Sequence, residues 1–276
     1  MNRYQIERDL LWAINSSTLL TTSPAFTPID KNVFDLERLV GHVVTTSDHR
    51  VGRYFERLIG FWLSEVRGLT DCQHSTQIRD GNRTVGELDF LFTDEQGRRT
   101  HLETAVKFYL YDPQSVVGGS HFIGPNAGDT FERKTKRLLK HQLPLGRKHF
   151  QDVTVTGAWV KGRIFYHPLQ AMPSVLPAEL STQHLRGTWI RASELGYFRE
   201  QEAASVYRVL LKPYWLSEEV ASFDDPKVLS TDDVTKQLTQ HFLDSAHPVL
   251  LSRLNRREHQ LGEVERIFVV ADCWPG

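Results

Sequence analysis

Residues 85–108, which read VGELDFLFTDEQGRRTHLETAVKF, contain the two strand-like segments that decide the fold. Alternate residues of a β-strand lie on the same face of the sheet. In the first segment, Asp89 therefore lies on the face opposite Phe90. In the second segment, Glu103 and Lys107 share a face. A polar turn, DEQG, separates the segments, so we expect an antiparallel pair that places acidic groups in an otherwise apolar setting.

A third strand and a long helix precede this pair. The turn Asp80-Gly81-Asn82 predicts a hairpin between strands at 72–79 and 83–92, and a strand at 100–109 completes an antiparallel meander. Apolar residues recur at helical spacing over 51–66, with Ser47 or Asp48 as the N-cap and Gly68 at the end. Such a broad apolar stripe must pack against a large surface, and we expect that surface to be the sheet.

The remaining pattern predicts a mixed sheet with flanking helices, an α/β (α+β) fold. We expect three regions: an N-terminal helical segment (1–46), a core (47–167), and a C-terminal α+β extension packed on the core (168–276). We expect residues 142–149 to be a connection. The other predicted elements are helices at 5–14, 35–43, 130–141, 203–211 and 232–242, and strands at 153–166, 187–192 and 266–271.

Composition restricts the class of protein. The chain has 276 residues, a formal net charge of -1 and two cysteines, Cys72 and Cys273. A disulfide scaffold is therefore excluded, and any nucleic-acid contact must depend on a local basic patch. We find no signal-peptide pattern and no apolar run long enough to cross a membrane. These features predict a cytoplasmic protein without a membrane partner.

The acidic pair suggests a chemistry. If the two strands pair in register, Asp89 and Glu103 lie close together, and their repulsion favours a cation between them. Two carboxylates, waters and a substrate phosphate form the ligand set that Mg²⁺ prefers. Lys107 would lie on the same face, where its ammonium could orient the attacking water or stabilise negative charge in the transition state.

These residues resemble a known superfamily. Residues 86–91 (GELDFL) and 102–110 (LETAVKFYL), after a long helix, look like the PD-(D/E)XK nuclease core, which implies a restriction-endonuclease-like αβββαβ order. Together with RDL at 8–10, SSTLL at 16–20, GPNA at 124–127 and LLKHQLP at 138–144, they also resemble a bacterial family called domain of unknown function 1853.

The resemblance implies roles for individual residues. It makes Asp89 and Glu103 the metal-binding acids and Lys107 the motif lysine. Glu56 on the preceding helix matches an extra metal ligand of some branches, and Gln142 resembles a glutamine on the following helix of others. The sequence departs from the usual spacing, because Ala105 stands where the lysine is expected and Lys107 lies about 6.6 Å further along the strand.

A basic stretch follows the long loop at 111–128. We consider five of its residues candidate nucleic-acid contacts, since cations on one helix can bind phosphates beside a metal site. A solvated helix face would show the same charges. The candidates are Arg133, Lys134, Arg137, Lys140 and Gln142.

Three functions remain open. The leading hypothesis is a Mg²⁺-dependent (or Mn²⁺-dependent) nuclease that hydrolyses phosphodiester bonds, with DNA as the expected substrate. The alternative is a nuclease-type fold that has lost its chemistry and binds nucleic acid or protein, since fold does not imply function. The third is a hydrolase of a small phosphorylated or acidic substrate.

Overall fold

The computed structural model describes residues 2–24, 26–44, 50–81, 83–202 and 204–276. The predicted N-cap residues Ser47 and Asp48, the region boundary at 46/47, and Asn82 of the predicted hairpin turn lie outside the described residues. Of the helices in the described ranges, none combines the length and the apolar character needed to cross a membrane.

A mixed sheet organises the described residues and confirms the predicted α/β class. Its ten strands run in the order β1-β2-β3-β5-β6-β10-β9-β7, with β4 paired to β3 and β8 paired to β10. The strands are β1 Gln73–Asp80, β2 Arg83–Thr93, β3 Arg99–Tyr111, β4 Phe122–Ile123, β5 Val153–Tyr166, β6 Leu185–Arg191, β7 Val206–Val209, β8 Val220–Ala221, β9 Val249–Arg256 and β10 Leu261–Val270.

The first three strands form the predicted antiparallel meander, and the centre of the sheet is parallel. β3 pairs with β5 in parallel along almost its whole length, and β5, β6 and β10 continue in parallel. The C-terminal strands β9 and β7 then add antiparallel pairs at the far edge. Residues 185–270 therefore extend the same sheet that begins with the meander.

Helices cover both faces of this sheet. In β5, Trp159 packs into the core under the N-terminal helices, while its neighbour Val160 packs with Phe131 on the opposite face. The α-helices are α1 Arg3–Asn15, α2 Leu36–Val43, α3 Val51–Phe61, α4 Phe131–Arg137, α5 Leu143–His149 and α6 Thr231–Asp244. Shorter 3₁₀ segments span Lys31–Val33 and Ala192–Glu200, and π-helical turns span Trp62–Val66 and Leu138–Gln142.

Buried polar contacts hold the N-terminal helices to the rest of the chain. The buried carboxyl of Asp9 in α1 accepts hydrogen bonds from Tyr54 Oη (2.8 Å) and from the backbone N–H of Ser217 (3.0 Å). At the end of α1, the buried ammonium of Lys161 donates to the carbonyl of Ile14 at 3.1 Å. The last carbonyls of a helix have no hydrogen-bond partner within that helix. Lys161 therefore supplies a donor to a carbonyl at the C-terminus of α1.

Two predicted elements are wrong. The predicted connection at 142–149 is helical: Gln142 ends a π-helical turn and α5 follows, with Pro144 in the first turn of α5, where proline is tolerated. The predicted helix at 203–211 contains strand β7, and Ala203 lies outside the described residues. Tyr207 is fully buried and β7 pairs with β9, so tertiary pairing overrides the local helical spacing.

Candidate metal and nucleic-acid site

An opening along one edge of β3 creates the candidate site. β2 pairs with β3 at residues 99–102, and β4 pairs with the same edge at residues 110–111. In the described part of the chain, residues 103–109 of this edge have no strand partner. Because β2 diverges here, side chains of β2, β3 and the nearby helices can face a common space.

Asp89 and Glu103 lie together where β2 begins to diverge. The carboxylate of Asp89 accepts a hydrogen bond from the backbone N–H of Thr104 at 2.8 Å. In return, Glu103 Oε1 lies 3.4 Å from the backbone nitrogen of Asp89. These reciprocal contacts hold the two acidic side chains in one place. The negative charge of Glu103 therefore acts on the carboxyl of Asp89.

Two further side chains orient the Glu103 carboxylate, which is only 1% exposed. His101 Nε2 lies 2.7 Å from Oε1, and the amide of Gln142 donates to Oε2 at 3.0 Å. A carboxylate can only accept, so Nε2 of the fully buried His101 is the donor. Gly146 of α5 allows this packing, because a Cβ there would lie 2.6 Å from His101 Nδ1.

The two acids line a cavity of about 590 Å³, which we call the acidic cavity. Lys107 lines it too, but its ammonium lies 4.0 Å from Asp129 Oδ2. Lys134 Nζ lies 3.8 Å from the same oxygen. Burial lowers the pKa of Lys107, while Asp129 opposes this shift and Lys134 adds to it. The predicted motif lysine thus reaches the cavity while remaining close to a different acid.

Glu56 lines the acidic cavity from α3, whereas Glu87 lines an adjoining one. The Glu56 carboxylate forms an ion pair with Arg53 at 2.7 Å, and burial raises the pKa of Glu56 despite that partner. Arg53 also lies 3.8 Å from Glu87. Arg53 therefore partly neutralises the acids at the helix end of the site.

The basic candidates separate into two groups. Lys134 lines the acidic cavity, Lys140 lines the adjoining cavity of about 490 Å³ (the basic cavity), and Arg137 lines both. Arg133 lines neither of them and instead donates to the carbonyl of Gly128. Lys134, Arg137 and Lys140 therefore form a row of cations along the two cavities, which we call the cationic wall. Asp89 also lines both cavities.

The acids present fit one divalent cation only in part. In the described ranges, no three His, Cys, Asp or Glu side chains are grouped as a complete metal-ligand set. Glu56 is therefore not grouped with Asp89 and Glu103 as a third ligand. Mg²⁺ needs few protein ligands, however, since it keeps several waters and is held by one or two carboxylates plus substrate phosphate.

A comparison with known protein families identifies the family of this chain. A family model described as "Domain of unknown function (DUF1853)" matches residues 8–270. The chain belongs to this family. No curated protein matches the chain. The match spans the residues that form most of the N-terminal helices, the meander and the C-terminal strands to the end of β10 in this DUF1853 protein.

Sequence reasoning missed several contributors to the site of this DUF1853 protein. His101 is two residues before Glu103 and therefore shares its face, a signal that the alternation already contained. Asp129 could be identified only as an acid at the start of a helix. Arg53 lies one helical turn before Glu56, but its contact with Glu87 depends on the tertiary structure.

The acidic pair predicts a pH-dependent stability. Burial, followed by the charge of Glu103, raises the pKa of Asp89 to about 7. Between about pH 4 and pH 7, the folded protein then binds more protons at Asp89 than the unfolded chain does. The free energy of unfolding should therefore fall by about 2 kcal/mol as the pH rises from about 4 to about 7. This value is reduced to allow for screening of the charge by solvent in the open cavity.

Urea denaturation at pH 5 and pH 8 measures most of this fall, with Asp89→Asn as the comparison. The variant carries no titrating group at this position and should lose less stability between the two pH values. Mn²⁺ should stabilise the wild type more at pH 8 than at pH 5, because the ionised carboxyl binds the cation. Equal pH profiles for the two proteins would contradict the raised pKa.

Proposed function

We propose that this DUF1853 protein is a divalent-metal-dependent nuclease that hydrolyses phosphodiester bonds, with DNA as the expected substrate. The observation that supports this proposal is the placement of Asp89 and Glu103 at one point in a cavity whose remaining walls carry cations. Buried acids with perturbed pKa values in a cleft are typical of functional sites. The cationic wall supplies the charge that a phosphate backbone requires.

The proposed chemistry assigns a task to each side chain. Asp89 and Glu103 would hold Mg²⁺ or Mn²⁺, which when bound polarises a phosphoryl oxygen and lowers the pKa of a water molecule. His101 and Gln142 keep the Glu103 carboxylate oriented through the contacts described above, and such supporting contacts strengthen metal sites. Arg137 would bind a phosphate next to the scissile bond.

Lys107 and Glu56 have conditional tasks. The Lys107 ammonium would stabilise negative charge on the phosphate once substrate draws it away from Asp129. Glu56 would reach the metal only after leaving Arg53, so we propose it as an outer group that orients water. The displacement of the lysine from position 105 to position 107 makes its reach depend on a long flexible side chain.

A binding module without catalysis is the second candidate. The observation that favours it is the proximity of Lys107 to Asp129, which leaves the motif lysine engaged away from the acid pair. Such a protein would still use the cationic wall to bind nucleic acid. It would bind Mn²⁺ weakly, because no catalytic step would require the ion at Asp89 and Glu103.

A cleavage assay separates these candidates. The full chain is incubated with labelled single-stranded and double-stranded DNA and RNA, in Mg²⁺, Mn²⁺ or EDTA. A nuclease produces cuts that EDTA abolishes. Binding of nucleic acid without cuts in either metal would contradict the nuclease proposal and support the binding module. Absence of both binding and cuts would contradict both.

Arg137 should contribute a phosphate contact. We expect Arg137→Ala to weaken nucleic-acid binding about 3- to 10-fold at moderate salt, because one counterion-releasing contact is lost. The slope of log K against log salt should become shallower by about 1. Fluorescence anisotropy over a range of salt concentrations, in EDTA, measures both quantities.

Lys136→Ala is the matched control for Arg137→Ala. Lys136 is exposed on the same helix but lines neither the acidic nor the basic cavity. Its loss should change affinity less than about 2-fold. Equal effects of the two substitutions would show that only the overall charge of the helix matters, and not the wall of the cavities.

A further inference from the structure

A third cavity, of about 670 Å³, adjoins the acidic cavity along β3. Lys107 and Tyr109 line both, so the two spaces meet at the lysine of the proposed active site. Its size is within the range of about 300–1,000 Å³ that is usual for small-ligand sites. Any ligand that fills it would therefore have one end beside Lys107.

The walls of this third cavity combine apolar surface with positive charge. Phe108, which is half-buried, and Trp215 contribute aromatic rings packed edge to face, with centroids 5.8 Å apart. Val51 and Val106 add aliphatic surface. Because its lining is aromatic and aliphatic, this part of the cavity suits a flat, apolar group.

The remaining lining is polar and mainly cationic. Arg50, Lys107 and Lys212 outnumber the single acid Asp129 among the lining residues, and the exposed amide of Asn126 lies at the same cavity. Lys212 Nζ lies 4.8 Å from the centroid of the Trp215 ring. A ligand here should therefore carry negative charge next to its flat part, with polar atoms on its edge.

We propose that the third cavity, hereafter the base pocket, holds one nucleobase of a strand whose phosphate lies at Asp89 and Glu103. A nucleotide combines the required properties, because its base is flat with polar edges and its phosphate is anionic. Bases stack on protein aromatic side chains in this manner in single-strand-binding proteins. This inference rests on the proposed nuclease function and adds the class of substrate.

The base pocket restricts which substrates can be cut. A base inside a duplex is stacked on both sides and paired at its edge, so it cannot enter a cavity in the protein. The substrate must then be a single strand, a frayed end or a duplex with one base turned out. We expect single strands to be cut faster than a perfect duplex of the same sequence.

Two binding measurements test the base pocket without requiring cleavage. In EDTA, the wild type is titrated with a short oligothymidylate and with the same backbone carrying abasic sites, which preserve every phosphate. The base pocket predicts about 10-fold weaker binding of the abasic strand. Phe108→Leu should reduce this difference, whereas Phe26→Leu, a half-buried aromatic side chain outside the base pocket, should not.

Photo-crosslinking locates the base directly. A strand with one 5-iodouracil is irradiated on the wild-type protein, and the modified peptide is identified by mass spectrometry. Attachment to Phe108 or Trp215 is the expected result. Attachment elsewhere, equal affinity for the abasic strand, or no binding of either strand would overturn the base pocket. Cleavage with equal affinities would retain the nuclease proposal, and crosslinks at Phe108 without cleavage would retain only the base pocket.

Discussion

Asp89→Asn should lower metal-dependent cleavage of nucleic acid by about 1,000-fold. The substitution removes one of the two carboxylates that would hold the cation, and cation stabilisation of developing charge is worth several kcal/mol. Each 1.36 kcal/mol corresponds to a tenfold change in rate. Asparagine keeps the size of the side chain and an oxygen that can still accept from Thr104, so the fold should persist.

The cleavage rate at saturating Mn²⁺ measures this loss. Asp152→Asn is the control, because this exposed acid lies 3.8 Å from Arg99 and lines neither the acidic cavity, the basic cavity nor the base pocket. The control should cleave within about 2-fold of wild type, as expected for a surface ion pair. An Asp89→Asn protein that cleaves as fast as the control would remove Asp89 from the mechanism.

Gly162→Ala should destabilise the protein by about 2–6 kcal/mol. Gly162 in β5 has φ +148, and a Cβ there would lie 1.8 Å from the carbonyl oxygen of Lys107. Backbone strain and overpacking each cost about 1–3 kcal/mol. The substitution must push β5 away from β3, so it also displaces the backbone that carries Lys107.

Chemical denaturation measures this change, with Gly41→Ala as the control. Gly41 lies in α2, where an added Cβ meets nothing within 4 Å. Alanine is favoured over glycine within a helix by about 0.5–1 kcal/mol, so the control should be equally stable or slightly more stable. A Gly162→Ala protein as stable as the control would show that β3 and β5 do not approach as closely as described.

The strand pattern predicted the meander because local signals and tertiary structure agree there. Turn residues flank β2 in the sequence, and its alternation of polar and apolar residues matches the two faces of the sheet. The two-residue period also placed Glu103 and Lys107 on one side of β3. The mixed sheet with flanking helices could therefore be predicted from the sequence.

The C-terminal strands could not be predicted in the same way. Tyr207 lies in a segment whose spacing is also compatible with a helix, and pairing with β9 decides between the two. β4 and β8 each span only two residues, so they carry no periodicity at all. Long-range pairing, which a local pattern does not contain, determines these elements.

The candidate site also contains some features that the local sequence pattern predicts and others that depend on the tertiary structure. Asp89 and Glu103 could be selected from strand alternation, whereas the approach of Lys107 to Asp129 depends on how the loop at 111–128 folds back on β3. The base pocket depends on Trp215, which is more than a hundred residues from Phe108 in the chain. Single residues of a site can be predicted from a strand, but the walls of its cavities require the fold.

Manganese bound to crystals of the wild-type protein gives the most direct test of the two-carboxylate site. Anomalous scattering at the manganese edge locates the ion independently of any assumed ligand. The proposed function predicts a peak at ligand distance, about 2.1 Å, from carboxylate oxygens of both Asp89 and Glu103. A peak bound elsewhere, or no peak near these two carboxylates in saturating Mn²⁺, would contradict it.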